Sequence, residues 1–148
     1  MTTTSNHLFI AAPAQTIYRY AAATEHWPQY LPHYRYVRLL GNDGPTRVVE
    51  MAAWRDFIPV RWVAEQTNDS ARPHIHFRHI RGWTKGMDVE WRFEPQAGGT
   101  NVTIEHRLQF SFPVAADLIA HYVIGEFFIK NIAAKTLRRI QALAEAQG

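Results

Sequence analysis

From Leu118 onward, residues suited to a buried face recur every third or fourth position. Leu118, Tyr122, Gly125, Ile129, Ile132, Thr136, Ile140 and Leu143 draw one stripe down an α-helix. Lys130, Lys135, Arg138 and Arg139 fall mostly off it. Pro113 suits a first helical turn, where its missing N–H would have no partner anyway, and no proline follows it. The pattern predicts one helix from Pro113 to about Glu145, roughly 45 Å long at 1.5 Å per residue. Such a helix needs a broad, curved surface on which to bury its stripe, because the rest of the chain offers only two short helices.

The earlier part of the chain supplies that surface. Residues 5–12 read as a strand that Pro13 ends. Residues 14–23 read as a short helix with Ile17, Tyr18 and Ala21 on one face. Thr24 is placed to cap a second, brief helix with its hydroxyl, and Pro28 and Pro32 bracket that helix. Strands follow at 34–40, 47–54, 60–67, 74–81, 85–94 and 101–112. Gly41-Asn42-Asp43-Gly44 is a hairpin signal, Asp56 to Pro59 turns the chain, and Pro95 to Gly99 breaks the last hairpin. Hairpin-length connections imply an antiparallel sheet, and seven twisted strands curl around a helix. The expected fold class is α+β: a curved seven-stranded antiparallel sheet around a long C-terminal helix, with two short helices after the first strand.

Period-two alternation sorts the faces. Met87, Val89, Trp91 and Phe93 share one face, opposite Asp88, Glu90, Arg92 and Glu94. Val102, Ile104, His106, Leu108 and Phe110 share another, so His106 is a polar group in an apolar row. Trp62, Ala64 and Gln66 are taken as inward. His106 reads either as a core histidine hydrogen-bonded to its neighbours or as a ligand-binding or proton-transfer group. Gln66 reads as a rim or turn residue or as a second inward polar group. Gly125 gives up about 1 kcal/mol relative to alanine in a helix, either for close packing or to leave room for a ligand.

Composition narrows the function. The 148 residues are 47% hydrophobic and 13% aromatic, enough for one full core and too apolar for disorder; a single domain over 1–148 is expected. There is no cysteine, so neither disulfides nor thiolate chemistry arise. No apolar run reaches the roughly 20 residues that span a membrane, and the N-terminus lacks a signal-peptide pattern; a cytoplasmic location is expected. The net charge of +3 is carried by scattered residues, which argues against nucleic acid as a partner. His74, His76 and His79 look like a metal cluster, but on a strand His79 points away from the other two. No metal site and no phosphate loop is expected, and no cofactor. Any chemistry would be acid/base or template chemistry in an apolar pocket.

Ala11-Ala12-Pro13-Ala14-Gln15-Thr16-Ile17-Tyr18, Trp27-Pro28 through Leu31-Pro32, Trp62-Val63, Gly86-Met87, Trp91, Gly98-Gly99-Thr100 and Lys135-Thr136-Leu137-Arg138-Arg139-Ile140 together resemble the polyketide cyclase/dehydrase family of the START-like (Bet v 1-like) superfamily. The resemblance covers nearly the whole chain and rests on the order and spacing of these motifs. It implies a helix-grip fold with a deep apolar cavity between sheet and helix. It implies a hydrophobic ligand such as a polyketide, a lipid or a quinone, with an acyl carrier protein as a partner if the ligand is a tethered polyketide. Aromatase/cyclases of the family imply catalytic roles for Tyr34 and His106. They also carry an arginine where this chain has Gln66. Trp62, Met87, Val89, Trp91, Ile104, Phe110, Tyr122 and Ile129 are expected to line the cavity, joined by Trp27, Gln66 and Gly125, with Trp83 at its mouth. The alternative is a non-enzymatic carrier using the same cavity.

Overall fold

Tight hairpins dictate the sheet. In the computed structural model, which describes residues 2–82, 84–108 and 131–147, β1 (Thr2–Ile10) leads into α1 (Ala14–Ala22), a 3-10 turn (Thr24–His26) and α2 (Trp27–Tyr30). Six strands follow: β2 (Tyr34–Asp43), β3 (Thr46–Arg55), β4 (Ile58–Asp69), β5 (His74–Arg81), β6 (Asp88–Gln96) and β7 (Gly99–Leu108). The described C-terminal helix is α3 (Ala134–Gln147). Every neighbouring pair is antiparallel, in the order β1-β7-β6-β5-β4-β3-β2. This is the seven-stranded antiparallel sheet that the alternation predicts. Of the helix expected from Pro113, residues 113–130 lie outside the described residues. Residues 131–133 form a wider π turn that leads into α3.

The hairpin ends differ from expectation in instructive ways. The β2–β3 turn is Gly44-Pro45, because Asn42 and Asp43 still pair with Arg47 and Thr46 and positive φ is reached at Gly44 (63°). The β3–β4 turn is only Asp56-Phe57, with Asp56 at φ 57°, so Ile58 and Pro59 belong to β4. β6 begins at Asp88 rather than Lys85. Ahead of β6, Gly86 N–H donates to the His79 carbonyl at 2.8 Å and Met87 N–H to that of Thr84 at 2.9 Å.

One sheet face is apolar. Met87, Val89, Trp91 and Phe93 are buried, as are Val102, Ile104, His106 and Leu108, while Asp88, Glu90, Arg92, Glu105 and Arg107 on the other face are only partly covered. His74 and His76 lie on that outer face against Glu90 and Asp88, whereas His79 is buried. α3 buries Thr136, Leu137, Ile140 and Ala144. It is tied to the far side of the fold by Gln141 Nε2 donating to the Phe9 carbonyl at 3.1 Å, by Glu145 Oε2 accepting from Ala11 N–H at 2.9 Å and by Arg139 Nε donating to the Tyr30 carbonyl at 2.9 Å.

Gly99 opens β7 where β1 ends. A Cβ there would stand 2.2 Å from the Ile10 carbonyl oxygen and 2.9 Å from Ala11 Cα, both backbone atoms that cannot swing aside. Gly99→Ala is therefore expected to destabilise the protein by about 3 kcal/mol, read as a lowered urea midpoint; an unchanged midpoint would refute the close approach.

Candidate functional site

The strand register builds the site. Gln66 on β4 faces Phe77 on β5, Phe77 faces Val89 on β6, and Val89 faces His106 on β7. One residue pair along, Ile75, Trp91 and Ile104 stand in a second row, and Met51 on β3 opposes Trp62 on β4. α2 and the start of β2 add Trp27 and Tyr34, and the beginning of the C-terminal helix adds Ile132, Ala133 and Thr136. These elements surround a pocket lined by Trp27, Tyr34, Met51, Trp62, Phe77, His79, Val89, Trp91, Ile104, His106, Ile132, Ala133 and Thr136. Its free space is about 50 Å3, room for a few water molecules and less than the few hundred Å3 of an ordinary small-molecule site. Trp27 packs on Tyr34 with centroids 4.9 Å apart and on Trp91 at 6.2 Å, and Tyr34 packs edge-on to Trp62 at 6.1 Å.

The polar groups on this lining are held uncharged. Burial pulls the His106 imidazole down to about 3, because the apolar surroundings penalise the imidazolium. Burial, then repulsion from His106, brings His79 to about 3. Burial pushes the Tyr34 hydroxyl well above its ordinary value, so it remains a phenol. Behind the pocket, His33 Nε2 lies 2.8 Å from Thr136 Oγ1, and Thr136 Oγ1 donates to the Ile132 carbonyl at 2.8 Å. Burial, with Lys135 nearby, lowers His33 to about 4.

Among the residues singled out by sequence, Trp27, Tyr34, Trp62, Val89, Trp91, Ile104 and His106 come together on this lining. Met87 is fully buried but stands off the lining. Trp83, Phe110, Tyr122, Gly125 and Ile129 lie outside the described residues. Gln66 is neither at a rim nor on the lining. It is fully buried and its amide is engaged by protein: Oε1 accepts from Thr24 Oγ1 at 2.6 Å, and Nε2 donates to the Ala22 carbonyl at 2.8 Å and to Asn68 Oδ1 at 2.9 Å. Thr24 correspondingly does not cap a helix; its hydroxyl proton goes to Gln66, and it accepts from Arg47 Nη2 at 2.8 Å. Arg47 also binds both carboxylate oxygens of Glu25.

Sequence reasoning missed Met51, Phe77, His79, Ile132, Ala133 and Thr136 as lining residues, although the helical stripe had placed Ile132 and Thr136 on a buried face. The signal for His79 was present: it shares parity with Ile75 and Phe77 on β5. Among the described residues no group of three or more histidines, aspartates or glutamates is placed to hold a metal ion, and no helix is long and apolar enough to cross a membrane.

The family described as "Polyketide cyclase / dehydrase and lipid transport" matches residues 10–132. A curated relative, the granaticin polyketide synthase bifunctional cyclase/dehydratase of Streptomyces violaceoruber, is 30% identical over 139 residues; the match covers 92% of this chain and 42% of the relative, so the chain spans less than half of that protein's length. Among solved structures, the Zhui aromatase/cyclase from Streptomyces sp. R1128 superposes with a TM-score of 0.84 at 17% identity, over 99% of this chain and 94% of that one. The di-domain aromatase/cyclase StfQ of the steffimycin pathway gives 0.80 at 17% identity, over 98% of this chain and 51% of that one. At these identities the structural matches establish the shared helix-grip fold.

Three histidines whose ionised form is disfavoured when folded have a consequence for stability. Their folded values lie below the ordinary value near 6.5, so between about pH 6.5 and 3 the unfolded chain binds more protons than the native one. Stability is therefore fully present above about pH 6.5 and is lost as pH falls, each group steepening the loss by at most about 1.4 kcal/mol per pH unit. His106→Gln is expected to flatten the pH dependence of the urea midpoint between pH 6.5 and 4.5; an unaltered slope would show that His106 is not buried neutral.

Proposed function

This chain belongs to the polyketide cyclase / dehydrase and lipid transport family, and from that premise we propose that it binds a hydrophobic small molecule between the sheet and the C-terminal helix and acts on it as an aromatase-like cyclase/dehydratase, without a cofactor. The supporting observation is an aromatic-walled pocket whose lining carries both a neutral imidazole, His106, and a buried phenol, Tyr34. In this reading the pocket holds a poly-β-ketone chain folded so that its reacting carbons are close, which removes much of the entropic barrier. His106 takes a proton from an acidic methylene between two carbonyls. Tyr34 donates a hydrogen bond to the carbonyl oxygen on which the enolate charge collects. With only about 50 Å3 free, the ligand enters by exchanging ring–ring contacts for ring–ligand contacts.

Our proposal takes residues 1–148 as one START-like unit working in the cytoplasm, with an acyl carrier protein as the donor of a tethered substrate. A carrier function is the second reading, and Gln66 favours it. Aromatase/cyclases carry an arginine at the matching position, whose guanidinium could hold an enolate oxygen. Here a neutral amide stands there, spent on Thr24, Ala22 and Asn68.

The two readings separate in one pair of measurements on His106→Ala. The enzyme reading expects loss of turnover of an aryl polyketone, with affinity for an inert aromatic product kept within tenfold, about 1.4 kcal/mol. Tight binding by the wild type with no turnover of any polyketone offered would leave the carrier.

A further inference from the structure

His106 does not stand alone on the pocket wall. His79 lines the same pocket from β5, two residues along from the row Phe77–Val89–His106, and is 3% exposed against 2% for His106. Its ring is fixed on both sides. The flat face stacks on Trp62, with centroids 5.7 Å apart and planes within 6°, while Nδ1 lies 2.7 Å from Thr84 Oγ1. Thr84 is itself buried; its carbonyl accepts from Met87 N–H at 2.9 Å, and Gly82 and Gly86 near it take φ of 106° and 94°.

The partner type is informative. A carbonyl or carboxylate at Nδ1 would accept only, and would pin one tautomer. A threonine hydroxyl both donates and accepts, so His79 can carry its proton on Nδ1 or on Nε2 without breaking this bond. A side chain needed only for packing has no use for that freedom; a group that exchanges protons does.

We propose that His79 is the second member of a proton-handling histidine pair with His106, set in orientation by Trp62 and Thr84 while the Thr84 hydroxyl accommodates either tautomer. This rests on the cyclase reading above. In the pair, the carbon acid loses one proton to one imidazole nitrogen, leaving its electron pair on the enolate, and one of the two rings carries that proton. A second proton is opposed by the imidazolium already present. Because the Thr84 hydroxyl can donate or accept, the bond at Nδ1 persists as the proton arrives; return of the proton to the enolate or to a leaving hydroxyl restores the neutral pair.

The test uses benzoylacetone, whose methylene lies between two carbonyls, and follows exchange of its methylene protons with D2O by NMR, alongside 15N spectra of the imidazoles at neutral pH. The expected result is at least a tenfold loss of protein-catalysed exchange in His79→Gln and in Thr84→Val. Thr84→Ser should restore both the rate and the His79 15N shifts, and the His79→Gln/His106→Gln double variant should be no slower than the slower single, as for groups that act as a unit. Thermal melting checks that each variant is folded. Exchange in His79→Gln and Thr84→Val equal to wild type, with His106→Gln inactive, overturns the pair and leaves His79 as a core residue. If the wild type itself catalyses no exchange, the cyclase reading fails, and the pair then stands or falls on whether His106→Gln moves the His79 15N shifts.

Discussion

Alternation along the antiparallel strands sends every second side chain to one face, and from β4 to β7 that face carries no charged residue. Trp62, Ala64, Gln66, Ile75, Phe77, His79, Val89, Trp91, Phe93, Val102, Ile104, His106 and Leu108 are all buried on it. The charges sit on the opposite face, where Arg92, Glu90, Glu105 and Arg107 pair with one another. In such an interior a polar group persists only if it is neutral and hydrogen-bonded. That requirement keeps the buried imidazoles neutral.

The same requirement explains how the short helices are fastened. Gln66 satisfies its amide on Thr24, Ala22 and Asn68, and Arg47, its neighbour across β3 and β4, reaches Ala22, Thr24 and Glu25. Each such bond contributes on the order of 1 kcal/mol, and leaving one buried partner unsatisfied costs about 1–3 kcal/mol. This junction lies where α1 hands over to α2, and Trp27 follows within three residues. A polar knot off the pocket thus sets the position of an aromatic ring on it, which ties Gln66 to the site through geometry rather than through contact.

The aromatic lining has two sides. Trp27, Tyr34, Trp62, Trp91 and Phe77 contact one another in tilted or edge-on geometries of the kind that add about 0.5–1.5 kcal/mol beyond burial. The stabilisation that closes the space to about 50 Å3 is a cost that any ligand must offset. Flat, apolar or aromatic molecules are suited to do so, because they return the same kind of contact.

Local periodicity was enough to expect the strand count, the antiparallel arrangement, the inward rows of β6 and β7, and the lone histidine among them, because side-chain direction along a strand depends only on parity. The helical stripe likewise marked Ile132, Thr136 and Ile140 as buried. Turn ends were less legible: Gly41 to Gly44 and Asp56 to Pro59 hold several turn-forming residues, and pairing with the next strand decided which of them turn. What sequence left undecided was long-range. Gln66 and Trp62 have the same parity, yet one spends its amide on Thr24 across 42 residues and the other lines the pocket. His79 was visible only as pointing away from His74 and His76; its partners, Trp62 from β4 and Thr84 ahead of β6, meet it only once register and loop geometry are set. Parity determines the face a side chain points to; which groups it finds there is a matter of tertiary packing.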